Sequence, residues 1–506
     1  MRLRPQHRRV GVTTGLLALG LASALAPSAQ AQTPPAYQVT QNFSGQFTLG
    51  VNTLGVTDNF IPPDTMGAVG PTQFGELING GYAVFSKTGG LVSHTTDQNF
   101  WDDAGLTTAA QPGVFDPRIQ YDSSSGHWFA TELAFSSGNI NNQLLVAVSK
   151  TSDLTQGFNG FAFNTFSGTP QNYFADYDTL GVNAQGVYVG LNDFSGNNFA
   201  ATSVLAIDKA SLIGSPTSAA PTSTLFYNQN PNSTGATPHP VTDMGTDTTA
   251  YLLSDYNTPA GRNSLSTITG TTGQLNGGGG NVAVTPYSGP PQDTQRGSTA
   301  LIDGGDTRFS GSVVKVGTII YGAQSVKDPG AGGLEDIRIV GIDATTKATV
   351  LDQLIGNGSL NYNYPSLAIN SVGKVVVGFS SSGPGQYASS DVLVGQLNTA
   401  GTLITFGGPT TTAAGQGSYN VLDGTDNRWG DYSSTTLDPT DPNNFWTIQE
   451  YASATNQWTT NISEVSISSP SAAPEPSQLA GLGFTAFGTL GLILRARKRK
   501  APSPSA

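Results

Sequence analysis

Hydrophobic residues between positions 40 and 470 occur in short runs separated by polar turn residues. The runs are rich in Val, Ile and Tyr, and Gly, Asn, Asp or Ser bounds each of them. Examples are Gln143 to Val148, Gly186 to Leu191, Thr318 to Gly322 and Lys374 to Phe379. Such runs favour strands over helices, and this part of the chain has no sustained helical periodicity with capping residues. The pattern therefore predicts an all-β sandwich, barrel or propeller.

An internal repeat favours the propeller. Residues 301–309 and 421–429 both read apolar-apolar-Asp-Gly-x-Asp-x-Arg-aromatic, and residues 115–119 are a looser version. Similar starts lie near positions 64, 116, 176, 243, 308, 364 and 428. Their spacing of roughly 50 to 67 residues suits a four-stranded blade. We predict a β-propeller over residues 63–467 with seven blades, six being the alternative.

The two ends of the chain carry different patterns. Arg2, Arg4, Arg8 and Arg9 precede an apolar stretch, and Ala29-Gln30-Ala31 is a small-x-small cleavage site, so residues 1–31 read as a signal peptide for the secretory translocase and signal peptidase. Residues 32–62 form an N-terminal segment. Its weak alternation from Tyr37 to Leu49 predicts an outer strand that pairs with the last blade and closes the ring.

The C-terminal segment has three parts. Residues 468–476 form a linker that ends in Pro474-Glu475-Pro476. Residues 477–494 are free of charge and just long enough to span a bilayer as one helix. Residues 495–506 form a basic cytoplasmic tail; its cations are Arg495, Arg497, Lys498, Arg499 and Lys500. A permanent single-span anchor and a buried helix are the alternatives.

These three parts, in this order, resemble a PEP-CTERM sorting signal. The resemblance implies a Gram-negative, exopolysaccharide-producing bacterium and processing near the motif by a membrane exosortase. It also implies transient attachment to the inner membrane, followed by placement at the cell surface, in the outer membrane or in the extracellular matrix.

Composition narrows the function. Charged residues make up 11% of the chain, against about 25% in typical domains. Residues 32–476 keep 13 of the 22 Lys and Arg against all 34 Asp and Glu, a net charge of −21. This net charge argues against nucleic-acid binding, which needs a basic face. The absence of Cys excludes thiol chemistry and disulfides.

Two stretches resemble exported, sialidase-like bacterial propellers. They are Arg428-Trp429-Gly430-Asp431-Tyr432-Ser433 and Asp116-Pro117-Arg118-Ile119. If the blade repeats align, Arg118, Arg308 and Arg428 approach one another on one face and could clamp a carboxylate, with Trp429 and Asp431 beside them. A glycosidase would also need two catalytic groups, and the candidates are Asp64, Asp116, Tyr432 and Glu450. The alternative is structural: Asp and Arg at fixed points of each repeat tie blades together.

A set of Asp residues and a set of aromatic residues each allow a functional and a structural interpretation. Asp303, Asp306, Asp423 and Asp426 place oxygen ligands on short loops, as calcium prefers, although the same residues form Asx-turns. Aromatic residues gather in the C-terminal blades, where they could stack on sugars or pack in the core; they are Tyr362, Tyr364, Trp429, Tyr432, Phe445, Trp446, Tyr451 and Trp458.

The sequence therefore supports three functions. The first is a non-catalytic surface or matrix propeller that binds polysaccharide or a surface protein in a biofilm. The second is a sialidase-like glycoside hydrolase acting on acidic glycans, which would make the protein an enzyme. The third is a structural surface protein stabilised by calcium; no other cofactor is expected.

Overall fold

Antiparallel strands make up nearly all of the regular structure in the computed structural model. The structure describes residues 32–47, 60–107, 113–135, 142–166, 173–216, 219–271, 273–330 and 332–468. The predicted signal peptide with Ala29 and Ala31, the sorting motif, the apolar segment and the basic tail lie outside these residues.

The described strands form seven consecutive up-and-down antiparallel units, the blades of a β-propeller. Two neighbouring units share one continuous sheet, because their first strands pair in parallel, with Val241 opposite Val313. Blade 1 comprises Gly67–Val69, Gln73–Ile78, Gly81–Ser86 and Leu91–Thr95. Blade 2 comprises Val114–Asp122, His127–Ala134, Gln143–Ser149 and Phe158–Asn164. Blade 3 comprises Phe174–Val182, Gly186–Ser195, Asn198–Asp208 and Ser223–Gln229. Blade 4 comprises Ala236–Thr242, Thr249–Asn257, Arg262–Thr269, Leu275–Asn276 and Val282–Ala283.

The remaining blades follow the same plan. Blade 5 comprises Val313–Val316, Ile319–Lys327, Glu335–Asp343 and Thr349–Ile355. Blade 6 comprises Asn361–Ile369, Lys374–Gly383, Gln386–Leu397, Ile404–Phe406 and Thr410–Ala413. Blade 7 comprises Ser434–Leu437, Asn444–Ala454, Gln457–Ile467 and, from the start of the chain, Tyr37–Phe47. A small hairpin, Leu422–Asp423 with Asp426–Asn427, lies between blades 6 and 7.

Helices are few and short within the described residues. The α-helices are Asp97–Asp103, Lys209–Gly214 and Pro231–Thr234, and the 3-10 turns are Leu154–Gln156 and Thr258–Ala260. No helix in this part of the chain is both long enough and apolar enough to cross a bilayer.

The first strand of each blade, here called its inner strand, contacts the inner strands of both neighbouring blades. The contacts run from blade 1 through blade 7 and back to blade 1, so the inner strands surround one central axis. The prediction of a seven-bladed propeller is confirmed. One predicted start was wrong: Asp243 follows the inner strand Ala236–Thr242 and does not precede it.

The strand Tyr37–Phe47 completes blade 7. It pairs antiparallel with Gln457–Ile467, in a register that sets Tyr37 opposite Ile467 and Phe43 opposite Ile462. Asn42 also donates a 2.7 Å hydrogen bond to the Thr412 carbonyl of blade 6, and Phe43 packs 5.4 Å from Phe85 of blade 1. The N-terminal strand therefore closes the ring where the sequence pattern predicted an outer strand.

The direction of the inner strands defines two faces. We call the end where they begin the entry face and the end where they finish the exit face. Six inner-strand segments carry a residue in the left-handed backbone region near their entry end, with φ between 47° and 64°; these residues are Asp64, Asp116, Tyr177, Thr237, Tyr364 and Asp431. In blades 2, 3, 4 and 6 the strand pairing shifts at this residue. The resulting bulge turns successive side chains toward the axis.

Ion pairs join neighbouring blades at the exit face. Asp122 at the end of one inner strand accepts a 2.7 Å bond from Lys209 of the next blade. Asp243 binds Lys315 at 2.7 Å, and Asp438 binds Lys87 across the ring closure at 2.8 Å. These three pairs join neighbouring blades, which is the structural alternative that we considered for the repeated acidic residues.

Candidate functional site on the entry face

The left-handed residues gather around the axis at the entry face. Asp116 accepts a 2.7 Å hydrogen bond from the Tyr177 backbone amide, and the Tyr177 hydroxyl donates to the Asp431 carbonyl at 3.3 Å. Tyr364 donates in the same way to the Asp303 carbonyl at 3.3 Å. The bulges therefore bring side chains of blades 2, 3, 6 and 7 to one place, although these residues are far apart in sequence.

Two buried carboxyls lie at the centre of this cluster. Asp64 accepts a 2.7 Å bond from the Asn79 side-chain amide, and the side-chain oxygen of the same Asn79 accepts the Asp116 backbone amide at 3.0 Å. Burial, with the negative charges of Asp431 and Asp116, raises the pKa of Asp64 well above its ordinary range. Burial and Asp431 also raise the pKa of Asp116, while the Tyr177 amide opposes that shift. Ionisation of this pair is therefore disfavoured, more strongly at Asp64 than at Asp116.

Arg118 reaches the axis below these carboxyls and is buried. Its Nε donates to the Asp178 carbonyl at 2.8 Å, and its Nη1 donates to the Ser310 carbonyl at 3.0 Å. The guanidinium lies 3.5 Å from the centre of the Tyr432 ring. Its charge also helps burial to lower the pKa of the neighbouring His239 to about 3. Arg118 thus holds blades 2, 3 and 5 and the Tyr432 ring together.

Arg308 and Arg428 lie nearer the surface of the same cluster. Arg308 packs 3.9 Å from the Tyr177 ring and forms an ion pair with Asp306, the two side chains being 32% and 46% exposed. Arg428 binds Asp431 at 2.7 Å and Asp303 at 3.6 Å. The structure brings the three predicted arginines to one region, but each guanidinium is already engaged by this chain's own oxygens.

The three arginines do not occupy equivalent repeat positions. Arg118 follows the left-handed Asp116 by two residues, whereas Arg428 precedes the left-handed Asp431 by three. Arg308 and Arg428 do correspond, and their loops touch: Asp303 donates its amide to the Asn427 carbonyl at 3.0 Å. The two copies of the sequence repeat therefore pack against each other above blade 6.

The axial cavity at the entry face is small. Its volume is about 20 Å³, and its walls include Tyr177, Arg308, Tyr364 and Asp431. A water molecule needs roughly 10–15 Å³ measured in the same way, so this cavity has room for about one water.

The four candidate catalytic residues, Asp64, Asp116, Tyr432 and Glu450, line neither this cavity nor the two larger ones described below. Glu450 is buried and accepts the Gly430 amide at 2.9 Å. The Tyr432 hydroxyl is also buried and has no hydrogen-bond partner among the described residues.

The predicted aromatic patch belongs to the core. All eight residues are less than 9% exposed. Trp429, which the sequence offered as a binding residue, is fully buried against Tyr419 at a ring distance of 4.9 Å. These rings fill the space between blades, and Tyr364 alone among the eight lines the axial cavity, which is too small for a sugar.

The candidate calcium ligands are divided between two loops. Asp303 and Asp306 accept amides of their own turns, from Gly305 at 2.9 Å and Arg308 at 2.8 Å, and each has an arginine partner. Asp423 and Asp426 are exposed and face each other across the small hairpin. The described residues contain no group of three or more His, Asp or Glu arranged to hold a metal ion.

A larger groove, which we call the side groove, opens beside Arg308. Its volume is about 240 Å³. Its walls are Asn192, Phe194, Phe199, Ala236, Thr237, Asp255, Asp306, Thr307 and Arg308. Phe194 and Phe199 pair across the turn that follows the second strand of blade 3, with ring centres 6.0 Å apart in an edge-to-face arrangement. Phe199 is 41% exposed.

Hydrogen bonds fix the polar wall of the side groove. Asn192 exchanges two bonds with Thr237, of 2.9 and 3.0 Å. Asp255 accepts from Thr307 and, at 2.7 Å, from Tyr287, which anchors the loop that carries Arg308. Burial raises the pKa of Asp255 to about 6. It also raises the pKa of nearby Asp176 to about 7, with Asp116 adding to the effect and Arg308 opposing it.

Sequence reasoning did not find the side groove. Of its lining residues, only Arg308 and Asp306 were candidates. The available signal was the pair of Phe residues that flank Ser195-Gly196-Asn197-Asn198, a turn sequence that would place both rings at one end of a blade.

Comparisons with known proteins assign no activity to this chain. No protein-family model matches the chain, and no curated protein sequence is similar to it. An α-L-arabinofuranosidase from Fusarium graminearum is similar over 85% of this chain and 98% of its own, with 10% identity and a TM-score of 0.40. An α-L-arabinanase from Penicillium chrysogenum covers the same shares at 9% identity and a TM-score of 0.39.

A neuraminidase-like protein of A/little yellow-shouldered bat/Guatemala is similar over 68% of this chain and 96% of its own, at 9% identity and a TM-score of 0.34.

Proposed function

We propose that this chain is an exported, non-catalytic β-propeller that binds polysaccharide at the cell surface or in the extracellular matrix. The side groove is the observation that carries the proposal. There an exposed aromatic edge at Phe199 lies beside the amide of Asn192 and the ion pair of Arg308 with Asp306.

This combination suits a sugar. The apolar face of a sugar ring packs on an aromatic side chain, and a few fixed polar groups then orient its hydroxyls. The Arg308–Asp306 pair is partly exposed, and such pairs contribute only about 0–1 kcal/mol. The pair can therefore open toward a ligand at little cost, and Arg308 can then bind a hydroxyl or a carboxylate of an acidic sugar.

Binding fits the geometry better than hydrolysis. A glycosidase needs two carboxyl groups across the scissile bond, roughly 5–10 Å apart with room for the sugar between them. Asp64 and Asp116 are both buried and both bound to Asn79, and the axial cavity of about 20 Å³ is far smaller than a sugar ring. A glycoside hydrolase is the alternative function, and turnover of glycosides would reveal it.

Export and sorting belong to the same proposal. They are supported by the N-terminal signal pattern, by Pro474-Glu475-Pro476 and by the apolar and basic segments after it. We infer that the secretory translocase, signal peptidase and an exosortase handle the chain, which leaves the propeller outside the cell.

Affinity electrophoresis through gels that contain purified extracellular polysaccharides tests the binding. We expect Phe199→Ala and Arg308→Ala each to weaken retardation by about tenfold, which corresponds to about 1.4 kcal/mol. Leu422→Ala and Arg262→Ala are matched controls, because both are exposed residues outside the groove; they should migrate like the unmodified chain.

Equal retardation of all four variants would place binding elsewhere. A panel of fluorogenic glycosides separates binding from hydrolysis. Turnover that disappears in a folded Arg428→Ala variant would contradict a non-catalytic protein.

A further inference from the structure

A second large cavity lies at the exit face, on the axis and at the opposite end from the arginine cluster. Its volume is about 260 Å³. The later parts of the inner strands form its walls, with Val69, Ile119, Val314, Val316, Ile369 and Leu437 among the lining side chains. We call it the exit cavity.

The walls of the exit cavity are mainly apolar and carry no unpaired charge. The two charged residues that line it are Lys315 and Asp438. Lys315 is bound to Asp243 at 2.7 Å, and Asp438 is bound to Lys87 at 2.8 Å. Gln120 is occupied by Thr242 at 3.0 Å. The cavity therefore suits an uncharged, flexible apolar group better than a sugar or an ion.

Both ends of the described domain leave the propeller at this same face. Tyr37 pairs with Ile467, and the Ser468 amide donates to the Ala36 carbonyl at 3.0 Å. Lys374 holds this point: its Nζ donates to the Ile467 carbonyl at 2.9 Å and to Asn443 at 2.8 Å. Asn443 directly follows Pro442, which lines the exit cavity.

The chain after Ser468 contains the apolar residues 477–494. A membrane that holds that segment would face the exit face, because the intervening linker starts there. Exposed apolar side chains also mark the turns of this face: Met244 is 41%, Leu403 51% and Val372 66% exposed.

We propose that the exit cavity accommodates an acyl chain of a membrane lipid while the propeller is tethered, and that the side groove points away from the bilayer. The proposal rests on the proposed export and sorting, which include transient attachment to the inner membrane, and it is independent of glycan binding. By the same measure the exit cavity, at about 260 Å³, is 13 times as large as the axial cavity of about 20 Å³, so it has room for a segment of an acyl chain.

Photo-crosslinking of the full chain tests the proposal. The chain is reconstituted in phosphatidylcholine vesicles that contain a phosphatidylcholine with a diazirine in one acyl chain, and crosslinked peptides are identified by mass spectrometry. We expect adducts on the peptides that carry Val314, Val316 and Leu437. We expect these adducts to fall at least tenfold in Val314→Trp and in Val316→Trp, which fill the cavity from half-buried positions.

Leu422→Trp is the matched control, because Leu422 is exposed and lines none of the cavities; it should keep the full adduct yield. Adducts confined to residues 477–494, or adducts on the Leu437 peptide that persist in both tryptophan variants, would overturn the proposal. Because the chain contains no Cys, a single-Cys version at Val372 or Asn197 gives a second readout. Energy transfer to a headgroup dye should be strong from Val372 and weak from Asn197, and the reverse order would contradict the orientation.

Discussion

At the residue scale, the left-handed positions decide what reaches the axis. Asp adopts this backbone region readily, whereas a bulky residue such as Tyr does so only when its surroundings enforce it, at a cost of about 1–3 kcal/mol. Tyr177 and Tyr364 are enforced by hydroxyl bonds to the Asp431 and Asp303 carbonyls. These hydroxyl bonds also hold the two Tyr rings in the wall of the small axial cavity. The backbone conformation that brings Asp64 and Asp116 together therefore also shields them from a substrate.

Removing one partner of a buried ion pair should be costly. Lys209 and Asp122 are 7% and 1% exposed, so Lys209→Met leaves Asp122 as a buried, uncompensated charge. We expect a loss of about 3–5 kcal/mol in the free energy of unfolding, measured by urea titration. Asp306→Ala breaks the exposed pair with Arg308 and should cost less than about 1 kcal/mol. If Lys209→Met cost no more free energy of unfolding than Asp306→Ala, the Lys209–Asp122 pair would not stabilise the contact between its two blades.

Removing divalent cations should leave the domain unchanged. Asp303 and Asp306 already have Arg428 and Arg308 as partners, so their charge does not depend on a cation. We therefore expect the same Tm with and without a calcium chelator in thermal unfolding. A fall in Tm that added calcium reverses would instead support the calcium-stabilised structural protein.

At the element scale, the chain closes its ring with the strand Tyr37–Phe47, which contacts blades 6, 7 and 1. Tyr37–Phe47 pairs with the edge of the strand Gln457–Ile467 that faces away from the other strands of blade 7. Without that partner the strand would present unpaired backbone groups to other chains. The N-terminal strand is thus both a stabilising element and a protection against aggregation.

Deleting Tyr37–Phe47 should expose that edge. We expect the shortened chain to lose its monomer peak in size-exclusion chromatography and to scatter light. A synthetic peptide of residues 37–47 should restore the monomer, because it supplies the missing backbone pairs, whereas a scrambled peptide should not. A monomeric shortened chain would show that closure does not depend on this strand.

The strands and blades were predictable from the sequence, whereas the groove that they form together was not. Blade number and the closing strand were accessible, since hydrophobic alternation and the spacing of Asp-containing starts follow directly from strand geometry. Asp243 was misplaced because Asp both begins a bulge and ends an inner strand. The side groove was missed because it joins a turn of blade 3 to a loop before blade 5, and only the ring of blades brings these together.

At the scale of the whole molecule, acidic residues determine how stability responds to pH. Burial raises the pKa of Asp178 to about 8 and that of Asp193 to about 7. Between pH 5 and pH 7 these carboxyls keep their protons in the folded chain but lose them in the unfolded chain. Asp122 and Asp438 have lowered pKa values, so they titrate below this interval and do not offset the effect.

Stability should therefore fall as pH rises from 5 to 8, by up to about 1.4 kcal/mol per pH unit for each such carboxyl. The folded state binds more protons than the unfolded state in this interval, so raising the pH favours unfolding. Urea midpoints measured across the interval test this. Asp193→Asn, which cannot ionise and still accepts from Ser203, should flatten the decline, whereas Asp426→Asn at the exposed hairpin should leave it unchanged. A midpoint that rises toward pH 8 would mean that the buried carboxyls are ionised in the folded propeller and that its axis is more open to water than the hydrogen bonds indicate.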